Sequence, residues 1–161
     1  MRHLPVFLIL LGLVAQYTFF EFGRLGANYG KLKTLDGTTF YTPSQAKKII
    51  AQMQQHRATY LEQETTIDMV FPLLYAAMFA VAIIALAAPA KAPWALVLLP
   101  LIAAAADYAE NLTVIRIMSR NATDPGGLAT VASIASAAKG VFILASFATV
   151  AVLAVMAYVR R

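Results

Sequence analysis

Four long apolar stretches alternate with polar connections along this chain, near residues 4 to 22, 66 to 88, 93 to 115 and 128 to 159. Crossing a hydrocarbon core of about 30 Å takes about 20 helical residues at about 1.5 Å each, and each stretch is long enough. The pattern predicts an all-α integral membrane protein, a single membrane domain over residues 1–161 built as a four-transmembrane-helix bundle. The link Ala88-Pro89-Ala90-Lys91-Ala92-Pro93 cannot continue a helix and folds the second span back on the third. Trp94 behind it suits an interfacial belt. Asn121-Ala122-Thr123-Asp124-Pro125-Gly126-Gly127 is dense in turn formers and makes the second tight connection.

Residues 23–65 break this pattern, because they hold many of the charged side chains and carry two local signatures of folded structure. Lys31 to Leu35 and Thr38 to Tyr41 flank Asp36-Gly37, a two-residue hairpin signal. Thr42-Pro43-Ser44-Gln45 then reads as a helix start, with Thr42 as N-cap, Pro43 at the first position and Gln45 closing a capping box. Behind it Ala46, Ile49, Ile50, Met53, Tyr60 and Leu61 fall on one face, opposite lysines and glutamines. The expectation is a small extramembrane cap between helices one and two, a short β-hairpin plus an amphipathic helix, lying on the bilayer or over the bundle.

Composition supports this picture: 60% of residues are hydrophobic, 13% are charged, and the mean hydropathy is +0.69. There is no cysteine, and His3 and His56 are the only imidazoles, which argues against thiolate chemistry and histidine-rich zinc or haem sites. No metal ligand set is assigned and the cofactor is unknown. The net charge of +5 is dispersed over loops and helix ends, so the expected partners are membrane lipids and not nucleic acid. Met1-Arg2-His3 before an apolar run resembles a signal peptide, but no small-x-small site closes the run, so it is read as a retained span. The expected location is a membrane, multi-pass, the cell or inner membrane if bacterial. Orientation stays open, since the cap side is richer in Lys and Arg but also carries the acidic residues.

The third span carries Asp107, Glu110 and Asn111 on one helical face. Charges within a span are costly and face the bundle interior. Asp107 and Glu110 are the candidate acid/base pair, with Asp68, Tyr75, Tyr108, Asn111 and Lys139 as candidate ligand-binding residues; Glu64, Tyr17, Glu21, Arg24 and Ser136 lie on adjoining stripes. The topology brings all of these toward one membrane face. The expected function is binding, or acting on, a lipid-like or other amphiphilic small molecule in this carboxylate-rich pocket. Whether a reaction follows is open. One alternative is a small transporter or proton conduit, with Pro72 and Pro100 as helix breaks; another is a structural subunit whose charges only pair helices. A homodimer through the alanine-rich faces of helices three and four is also expected.

The layout of a cap between the first two of four spans resembles that of lipoprotein signal peptidases. Their Gly-Asn-x-x-Asp-Arg and Asn-x-Ala-Asp segments do not occur here, so no catalytic residue is carried over.

Overall fold

The computed structural model describes residues 4–30, 32–120 and 124–160, with residues 4, 21, 22 and 24–28 described by backbone alone. Its α-helices are α1 (Leu4–Tyr29), α2 (Pro43–Met53), α3 (Arg57–Thr66), α4 (Phe71–Ala90), α5 (Leu98–Ser119) and α6 (Gly127–Val159). Three helical stretches, Pro43–Ala90, Trp94–Ser119 and Gly127–Val159, are long and apolar enough to cross a membrane by length and composition. The apolar part of α1, Pro5–Phe20, is shorter. Leu73, Ile84, Leu101, Leu112, Leu144 and Phe147 stand exposed on the outer faces of α4, α5 and α6. So much apolar surface turned outward is what a lipid solvent would cover.

Prolines and glycines set the element ends. Pro72 and Pro100 both fall in the first turn of their helices. Pro100 interrupts no helix, whereas Pro72 comes just after the irregular turn at residues 67–70 between α3 and α4. Lys91 closes α4 in the left-handed conformation, φ 54°, and its N–H bonds back to the last turn. A short 3-10 turn, Trp94–Val97, then leads into α5.

The cap helix begins as expected: Thr42 accepts from the Gln45 N–H while the Gln45 side chain accepts from the Thr42 N–H. It is two helices and not one, because a 3-10 turn at Gln54–His56 separates α2 from α3. Their apolar faces (Ala46, Ile49, Ile50, Met53, Tyr60) join Tyr29, Leu35 and Tyr41 in a cluster with Val114, Ile117 and Met118 of α5 and Ala129 and Ala132 of α6. Arg57 fastens the cap by donating to the Met118 and Ser119 carbonyls at the end of α5, at 2.6 and 2.9 Å.

The expected β-hairpin does not form: among the described residues none is in a strand. A two-residue hairpin turn of the favoured kind needs positive φ at its central residues. Asp36 and Gly37 have none. Instead Thr34 Oγ accepts from the Gly37 N–H at 3.1 Å and Thr38 Oγ donates to the Thr34 carbonyl at 2.9 Å, which curls the segment on itself. A Cβ at Gly37 would lie 2.6 Å from that Thr34 hydroxyl, so the curl needs glycine. Leu35 then points into the cap core and the Tyr41 N–H donates to Ser133 on α6 at 3.0 Å, leaving no strand partner.

A second apolar cluster lies deeper, with Tyr75, Ala76, Met78 and Phe79 of α4 against Ala103 and Ala104 of α5 and Phe7, Leu10 and Val14 of α1. A third, around Ile83, Ala90 and Leu153, closes the far end, where Arg160 donates to the Ala90 carbonyl. Truncating the wholly buried Leu35 by Leu35→Ala should cost about 2–5 kcal/mol of cap stability. Limited proteolysis in detergent should then cut within residues 32–42 faster than in wild type, while α4 to α6 stay protected.

Candidate functional site

Between the cap cluster and the deeper cluster, each helix carries polar residues at the same level. On α5, Asp107, Glu110 and Asn111 sit between Ala104 and Val114; on α6, Ser133, Ser136 and Lys139 sit between Ala132 and Phe142. On the chain leading from α3 to α4, Glu64 and Asp68 sit between Tyr60 and Tyr75. The result is a polar layer held between two apolar cores. The side chains of Glu21 and Arg24, and residues 121–123 of the second connection, lie outside the described residues.

At its centre Lys139 reaches from α6 to both carboxylates of the candidate pair, 3.2 Å from Asp107 Oδ1 and in direct contact with Glu110 Oε2. Glu110 is 0% exposed and Asp107 5%, so the ammonium is what makes their burial tolerable. The Ser136 hydroxyl adjoins Glu110. Tyr75 is buried beside Asp107, its hydroxyl without a well-aligned hydrogen-bond partner. Lys139 is thus committed to the two carboxylates.

Asn111 and Tyr108 are engaged elsewhere, for a reason that starts at Pro72. A proline cannot donate to the carbonyl four residues back, which leaves the Asp68 oxygen without a helical donor. Asn111 Nδ2 supplies one at 2.8 Å, and the Tyr108 hydroxyl donates to the neighbouring Met69 carbonyl, also at 2.8 Å. The chain is irregular here: the Asp68 N–H bonds to the Gln63 carbonyl at 3.2 Å, five residues back. Such widened turns collect at functional sites. The Asp68 carboxylate accepts from the Tyr17 hydroxyl on α1. So Asp68, Tyr75, Asp107, Glu110, Asn111 and Lys139 share the layer, whereas Tyr108 latches its rim.

Two acidic residues outside the candidate set also enter the layer. Glu64 on α3 is wholly buried, and neither of its oxygens has a hydrogen-bond partner. Asp36 comes down from the cap loop and accepts from the Tyr60 hydroxyl at 2.6 Å. Asp36 was legible only as a turn residue, which places it on an exposed tip. Tyr60 counted as part of an apolar face. Tyr41 closes the roof; burial, reinforced by the carboxylates of Glu110, Asp36 and Glu64, pushes its phenol well above the usual range. It is therefore a neutral donor, and its hydroxyl is buried without a partner.

Because each loss leaves a buried charge uncompensated, Lys139→Met should destabilise the protein by about 3–5 kcal/mol. Adding Asp107→Asn and Glu110→Gln to that variant should restore much of the loss, read as the midpoint of thermal unfolding in detergent. No family model matches this chain, and no curated protein or solved structure matches it.

Proposed function

We propose that this chain is a multi-pass membrane protein of four spans that binds an amphiphilic, lipid-like small molecule in the carboxylate-rich layer beneath the cap. The observation that carries the reading is the charge imbalance of that layer. Among the described side chains the carboxylates of Asp36, Glu64, Asp107 and Glu110 share the layer with one ammonium, Lys139. A buried layer of this kind favours a ligand that brings positive charge and hydrogen-bond donors. Tyr41 offers an unpartnered hydroxyl at its wall, and Tyr75 one beside Asp107. The apolar outer faces of α1 and α4, with Phe19, Phe20 and Leu73 exposed, supply a surface for an acyl or isoprenoid chain at the same depth.

The fourth span in this reading is α1. At 26 residues the helix is about 39 Å long, and Phe7, Leu10 and Val14 pack into the deep cluster. With α1 crossing, the cap and the α5–α6 connection share one membrane side and both termini the other. Exposed alanines on α5 and α6, among them Ala105, Ala109 and Ala151, keep a homodimer through those helices within the proposal. Asp107 and Glu110 serve as an acid/base pair only where the ligand takes the place of Lys139. Helix pairing alone is the competing reading, favoured by the contacts of Lys139 with both carboxylates. Transport draws less support, since the deep cluster below the layer is apolar.

The test is native mass spectrometry of the detergent-purified chain with identification of bound lipids, comparing wild type with Asp107→Asn/Glu110→Gln. A co-purifying amphiphile present in wild type and lost in a variant that still folds is the expected result. Two lipid-free proteins of equal stability would leave helix pairing as the role of these charges.

A further inference from the structure

Besides Asp107 and Glu110, three carboxylates converge on one point from three places in the chain. Asp36 on the cap loop, Glu64 on α3 and Asp68 at the α3–α4 junction each bring an oxygen to the group, and these atoms all lie within 4.8 Å of one another. Oxygens that share a hard divalent cation at about 2.0–2.6 Å stand no more than about 4–5 Å apart. One ion spans that gap.

A cluster of acids alone means little, but Glu64 makes this one unusual. It is 0% exposed and both its oxygens lack any hydrogen-bond partner. The adjacent Tyr60 has a single O–H, and that proton goes to Asp36. Lys139 is taken by Asp107 and Glu110, and Arg57 by the carbonyls ending α5. A second buried group lies nearby: the Tyr41 hydroxyl, which feels the charges of Glu110, Asp36 and Glu64, is also without a partner. A carboxylate stripped of water with no donor is among the costliest groups a fold can hold, and a proton or a cation removes the cost.

We propose that Asp36, Glu64 and Asp68 form a binding site for one hard divalent cation, the size of Ca2+ matching the oxygen spacing. Carboxylate oxygens suit such ions, and water completes their shell. Asp36 and Asp68 are partly exposed and give the ion its way in, while Glu64 closes the buried side. The Tyr60 and Tyr17 hydroxyls, which donate to Asp36 and Asp68, hold those carboxylates in orientation as outer partners do at metal sites. The ion clamps the cap loop to the α3–α4 junction. This inference goes beyond the amphiphile reading, because it stands on Glu64 and not on the Lys139 centre.

Mn2+ titration of the detergent-solubilised full chain, followed by electron paramagnetic resonance of the free ion, tests it. Wild type should bind one Mn2+ per chain, displaced by excess Ca2+. Glu64→Gln and, separately, Asp36→Asn should each weaken binding about tenfold or more, since affinity follows the number of charged ligands. Asp36→Asn sits on a loop, so it serves where Glu64→Gln fails to fold. Asp124→Asn, an exposed acid on the α5–α6 connection, should bind as wild type does. A folded wild type that takes up no Mn2+, or variants at Asp36 and Glu64 that bind it unchanged, would overturn the site. The bound-lipid comparison at Asp107 and Glu110 is a separate readout, so either proposal can fail without the other.

Discussion

The contact of Lys139 with Asp107 and Glu110 is the interaction on which the interior depends. Two carboxylates on one face of α5 can be buried among apolar helices only if a positive charge meets them, and that charge comes from the facing turn of α6. A slide of α6 by one turn, about 5.4 Å, would take the ammonium out of reach. The polar pair therefore sets the register of α5 against α6, which their small residues Ala103, Ala104, Ala132 and Ala135 would otherwise leave loosely specified. Apolar contacts give adhesion here and the ion pairs give position.

The same logic extends to the junction of α3 and α4. Pro72 withholds a hydrogen bond from Asp68, the ladder widens, and α5 answers with Asn111 and Tyr108. That exchange ties the cap helices to the bundle at the level of the polar layer. It also brings Asp68 beside Glu64, with Asp36 descending from above. The layer has two centres as a result: one where Lys139 meets Asp107 and Glu110, and one where the carboxylates of Asp36, Glu64 and Asp68 converge.

Apolar periodicity made the long helices readable, because a helix that faces lipid is apolar over most of its circumference whatever packs against it. α6 was placed within a residue at its start and at its end. The capping box was readable for a different reason: Thr42, Pro43 and Gln45 make their bonds with their own backbone and need no distant partner. The hairpin was misread because Asp36-Gly37 is a local signal overruled by burial of Leu35 and by the bond from Tyr41 to Ser133, 92 residues away in the chain.

The chain by itself determined the membrane-length apolar helices, the start of the cap helix, and the face of α5 that carries Asp107, Glu110 and Asn111. These rest on spacing within one helix, which sequence shows directly. Only the tertiary structure decided that Lys139 is the partner of that pair, that Asn111 serves a backbone carbonyl, and that Glu64 lies buried beside Asp36 and Asp68. Those outcomes depend on how separate helices are rotated and raised against each other. That geometry comes from packing over the whole interior, and no local pattern of residues encodes it.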